Sequence, residues 1–96
     1  MDITSARVLL IEDDEDDFVV VKNCLVEVPS TRFELDWVRT YSASLEALGG
    51  GNHDVCLLGY HLGECDGLEI LKKTAETGCM IPIIFLTGQG DPIRWM

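Results

Sequence analysis

The chain has 96 residues, enough for one domain with a real core and too few for two. With 47% hydrophobic and 25% charged residues it has the composition of a globular domain, which argues against disorder. Its net charge of −10 repels phosphates and anionic headgroups, so neither nucleic acid nor an anionic membrane surface is an expected partner.

Residues 7–11 are a short apolar run containing Val8, Leu9, Leu10 and Ile11, the pattern of a strand buried on both faces. Six acids follow, from Glu12 to Asp17. Asp14 to Asp17 supply an N-cap and first-turn negative charge for a helix, where they suit the dipole. Phe18, Val21, Leu25 and Val28 recur at spacings of three and four, giving that helix one apolar face, and Pro29-Ser30 breaks it. Phe33, Leu35 and Trp37 then alternate with Glu34, Asp36 and Val38 in a strand expected near a sheet edge.

Thr40 or Ser42 can cap a second helix carrying Leu45 and Leu48, which Gly49, Gly50 and Gly51 terminate. Val55 to Leu58 form a third strand ending at Gly59. Asp66-Gly67 turn into a third helix with Leu68, Ile70 and Leu71 inward, and Gly78 ends it. Residues 81–86 form a fourth strand that runs into Thr87 and Gly88.

The order β-α-β-α-β-α-β implies a parallel sheet with right-handed crossovers and helices on both faces. In such sheets the functional crevice lies at the carboxyl ends of the strands. Glu12-Asp13-Asp14, Gly59 and Thr87 all fall at that edge. No segment approaches membrane-spanning length and no signal peptide opens the chain. The four cysteines form no C-x-x-C pair, and Cys56 reads as a core residue, so a reducing cytoplasm is expected.

In order and spacing, four stretches resemble a response-regulator receiver domain of two-component signalling. They are Val8-Leu9-Leu10-Ile11-Glu12-Asp13-Asp14, Leu57-Leu58-Gly59-Tyr60-His61-Leu62, Asp66-Gly67-Leu68-Glu69-Ile70-Leu71 and Ile81-Pro82-Ile83-Ile84-Phe85-Leu86-Thr87-Gly88. The resemblance implies a single flavodoxin-like, three-layer α/β domain over residues 1–96, with strand order 2-1-3-4. It implies that Glu12 and Asp13, with Asp14 as the neighbouring choice, and the backbone carbonyl of His61 hold Mg2+. Thr87, with Gly88, would be the hydroxyl contact to a phosphoryl group. The implied partners are a histidine kinase or an output domain.

Two departures follow from the same resemblance. The phosphoacceptor aspartate is replaced by Gly59, which offers neither an oxygen to phosphorylate nor a metal ligand. The chain also stops at Met96, before the fifth strand and its lysine, so the fourth strand is expected to present an open edge for self-association. The expectation is therefore an atypical receiver with weakened Mg2+ binding that acts through protein–protein contact. The rival is a phospho-accepting regulator in which Gly59 and the ending at Met96 are alterations of the natural sequence. Tyr60 and His61, beside the missing acceptor, are expected to be loop residues without chemistry. An enzyme with its own small-molecule substrate is disfavoured, because no nucleophile–base pair or nucleotide loop is present.

Overall fold

The computed structural model describes residues 4–59, 61–62 and 65–86. Strands β1 (Thr4–Ile11), β2 (Thr31–Val38), β3 (Val55–Gly59) and β6 (Ile83–Leu86) form one parallel sheet in the order β2-β1-β3-β6. This is the expected 2-1-3-4 arrangement. Helices α1 (Glu15–Val26), α2 (Tyr41–Gly50) and α3 (Gly67–Thr77) connect the strands.

β1 lies at the centre, and its alternate side chains feed two cores. Leu9 and Ile11 pack with Leu48 of α2 and Ile70 of α3, whereas Val8 and Leu10 pack with Val21 of α1. All four of these β1 side chains are buried, as a doubly covered parallel strand requires. Cys56 shares the first core. Burial, and then the neighbouring Cys79, pushes its thiol up to about 12, so it behaves as a small hydrophobe.

Each helix begins on a side-chain cap. Asp14 accepts from the Asp16 and Asp17 amides, Thr40 from Ala43 and Asp66 from Glu69, so Thr40 rather than Ser42 caps α2. α2 and α3 end on Gly51 and Gly78, at φ 65° and 76° in the left-handed region that favours glycine.

Three details differ from the periodicity. Val28 lies beyond the end of α1 and is exposed. Leu68 faces solvent while Thr74, its hydroxyl donating to the Leu71 carbonyl, is buried. The segment after β3 contains an antiparallel pair, β4 (His61–Leu62) with β5 (Cys65–Asp66), where only a loop was expected. Among the described residues β6 has no strand on its outer side, and none of the helices is long and apolar enough to cross a membrane.

Candidate functional site

The carboxyl ends of β1 and β3 lie side by side, with Ile11 paired to Leu58, so Glu12 and Gly59 meet at the same sheet edge. Glu12 is tied down through its backbone. Its N–H donates to the Val38 carbonyl at 3.1 Å, and its carbonyl accepts from Trp37 Nε1 at 2.7 Å. Both anchors come from the end of β2. With the main chain held on that side, the side chain turns inward and is only 5% exposed.

It turns into the space that a side chain at position 59 would fill. A Cβ built on Gly59 would stand 2.5 Å from Glu12 Oε2, 3.1 Å from its Cδ and 3.1 Å from the Ile11 carbonyl. Glycine at this position and a buried Glu12 are therefore two halves of one arrangement.

Burial pushes the Glu12 carboxyl up from 4.5 to about 7. The Asp14 amide, which donates to Oε1 at 3.2 Å, pulls in the opposite direction. The charges of Asp17 and Asp13, and a hydrogen bond to the Asp13 side chain, add to the rise. The physical content is simple. A carboxylate withdrawn from water beside other acids lowers its energy by keeping a proton.

The remaining acids have separate duties. Asp14 is the N-cap of α1, its Oδ1 accepting from the Asp16 and Asp17 amides at 2.7 and 3.4 Å. Asp13 is half-buried, and its carbonyl accepts from Arg39 Nη2 at 3.0 Å. Burial and then the charges of Asp14, Asp16 and Asp13 raise the Asp17 carboxyl. The backbone of His61 lies in β4, paired with Asp66. Tyr60, Thr87 and Gly88 lie outside the described residues, so the expected phosphoryl contact is not placed.

A hard divalent cation needs several oxygens brought to one point. The donors here do not fit that need. Glu12 is turned into the Gly59 cradle, Asp14 is engaged by helix amides, and Gly59 brings no oxygen. Among the described residues no cluster of three His, Cys, Asp or Glu side chains is arranged to hold a metal. The expected set of Glu12, Asp13 and Asp14 is thus divided among three environments.

The sequence pattern missed three contributors. Trp37 and Arg39 hold the backbone of Glu12 and Asp13, and a half-buried indole N–H that requires a partner was the available signal. The third is Gly67, where an added Cβ would lie 2.6 Å from the Gly59 carbonyl oxygen and 2.9 Å from Phe85 Cε1. The carbonyl is backbone and cannot swing aside. Gly67→Ala is therefore expected to destabilise the fold by about 2 kcal/mol, read from urea melts, whereas Gly49→Ala, with open space around it, is expected to be neutral or better.

Comparison with known proteins agrees with this architecture. The family model of the response regulator receiver domain matches residues 8–94. The response regulator RppA of Synechocystis is 30% identical over 88 residues, covering 90% of this chain and 36% of that protein, so the chain spans about a third of its curated relative. Among solved structures, a mutant of the response regulator MaeR bound to sulfate has a TM-score of 0.79 at 18% identity, over 91% of this chain and 70% of that one. The non-phosphorylated HemR receiver domain of Leptospira biflexa has a TM-score of 0.70 at 26% identity, over 88% of this chain and 65% of that one. Fold, strand order and family match together show that the chain belongs to the response regulator receiver domains of two-component signalling.

Proposed function

We propose that this receiver domain works without a phosphoryl switch at position 59 and transmits its signal through contact with a protein partner. Receiver domains are generally signalling modules rather than enzymes, and the family engages kinases or output domains. The observation that carries the proposal is the geometry at the end of β3, where Glu12 Oε2 would stand 2.5 Å from a Cβ at Gly59. Phosphoryl transfer to a carboxylate needs a nucleophilic oxygen and a cation to offset the incoming charge. Glycine lacks the oxygen, and the neighbouring acids are poorly placed for the cation. What remains is a receiver scaffold able to dock. The proposal includes a reducing cytoplasm, in which Cys24, Cys56 and Cys79 stay as thiols.

The test is incubation with acetyl phosphate and Mg2+ followed by intact-mass measurement. The expected spectrum shows the unmodified chain. A mass increment of one phosphoryl group overturns the proposal, and peptide mapping would then show whether Tyr60, His61 or an acid had taken it.

A further inference from the structure

Seven Lys and Arg residues stand against seventeen Asp and Glu in this chain, so a cation without an acidic partner is unexpected. Two of the seven, Lys22 and Arg32, nevertheless line one groove, exposed, with the exposed Arg39 over the ring of its Trp37, and none of the three makes an ion pair among the described residues. The groove, about 570 Å³, runs between α1 and β2. Its floor is aromatic: Phe18 and Trp37 are stacked with centroids 4.0 Å apart and planes within 8°, and Phe33 lies alongside. Val26, 74% exposed, stands at its mouth.

Lys22 and Arg32 line the groove, and no acid does. The Lys22 ammonium sits 6.0 Å from the Phe18 ring centroid, and the Arg39 guanidinium 4.8 Å from that of Trp37. Arg39 uses Nη2 on the Asp13 carbonyl, which leaves most of its five donors for an incoming group. β2 is the end strand of the sheet among the described residues, and its Thr31, Arg32, Phe33, Leu35 and Trp37 line the groove.

We infer that the α1–β2 groove docks an extended, acidic segment of a partner protein. Its apolar side chains would seat on the Phe18–Trp37 floor, and its carboxylates would meet Lys22, Arg32 and Arg39. Charge complementarity selects the acids, since the groove is the cationic part of a strongly anionic chain. The aromatic floor and the exposed Val26 supply the apolar contact that charge alone would not hold. The edge of β2 adds main-chain pairing for an extended segment. The volume falls within the range of built binding pockets.

This inference rests on the proposal that the domain acts by protein contact, yet the two tests separate. A phosphoryl adduct would leave groove binding untouched, and absent groove binding would leave the mass spectrum untouched.

The probe is a synthetic peptide of about ten residues, with Phe and Leu alternating with Asp and Glu, long enough to span one strand. Its controls carry Lys in place of the acids, or Ala in place of Phe and Leu. Titration is followed by amide and indole N–H shifts in NMR. Saturable shifts at the Trp37 indole and along α1 and β2 are expected for the first peptide alone. The double variant Lys22→Glu/Arg32→Glu is expected to weaken binding by about tenfold, whereas Lys72→Glu/Lys73→Glu on α3 leaves it unchanged. All four positions are on the surface or half-exposed, and circular dichroism checks that each variant folds. Equal binding of the Lys peptide, or no saturable shift at the groove, overturns the inference. So does occupation of the groove by dodecanoate but not by the peptide, which would make it a site for anionic amphiphiles.

Discussion

Gly59→Asp is expected to lower stability by about 2 kcal/mol at pH 7.5 without divalent cation, although aspartate is the residue that the sequence resemblance implies there. Two contributions act together. The new Cβ displaces the Glu12 tip from a contact of 2.5 Å and presses on the Ile11 carbonyl at 3.1 Å. The new carboxylate also enters beside Glu12 and Asp13, where like charges at roughly 4 Å and an effective dielectric of 20 repel by up to about 4 kcal/mol. Glycine's own backbone penalty in a strand, about 0.5–1 kcal/mol, is smaller.

Gly59→Ala separates the two contributions. It adds the Cβ without the charge and regains backbone entropy, so it should stay within about 1 kcal/mol of the native chain. Millimolar Mg2+ should raise the melting temperature of Gly59→Asp and leave the native chain unmoved, because only the variant gathers several oxygens at the site. A higher melting temperature for Gly59→Asp in the absence of divalent cation would overturn this account.

The second large effect is in pH. Burial holds the Glu12 carboxyl at about 7 in the folded chain, against an ordinary value of 4.5. Between those values the folded chain carries a proton that the unfolded chain has released, so stability falls as pH rises. The contribution is fully present below about pH 4.5 and is lost through about pH 7. A shift of this size corresponds to roughly 3 kcal/mol. Glu12→Gln keeps the shape and an oxygen for the Asp14 amide but cannot ionise. Urea melts between pH 5 and pH 8 should show a steep decline for the native chain and a shallow one for the variant, with the variant the more stable at pH 8. Parallel declines in the two proteins would show that Glu12 is not the titrating group.

Much of the fold is legible in the residues because each element announces itself locally. The apolar run of β1, the two-residue alternation of β2, the capping aspartates and the terminal glycines all act within a few positions of themselves. Leu68 faces solvent, against the expectation, because it stands about 200° around the helix from Ile70, whereas Thr74, four residues on, shares the Ile70 face. The β4–β5 pair is too short for any period to reveal.

The site was legible only in outline. Sequence proximity groups Glu12, Asp13 and Asp14, yet the direction each carboxylate takes depends on distant partners. Asp14 is set by the helix that it starts, and the main chain of Asp13 is held by Arg39, just past the end of β2. Glu12 is set by an absence at position 59, forty-seven residues away. A missing side chain leaves no trace in the periodicity of another strand.

The close seat of Gly67 against the Gly59 carbonyl has a consequence for how this arrangement could ever be undone. An added Cβ at Gly67 would stand 2.6 Å from that carbonyl, so the main chain of β3 has little room to shift toward Gly67. A side chain introduced at 59 is therefore accommodated chiefly by movement of the flexible Glu12 tip. A carboxylate at 59 alone is expected to give a less stable protein, and a matched change at Glu12 to restore it. Positions 12 and 59 therefore behave as a pair, and what one can carry is set by the other.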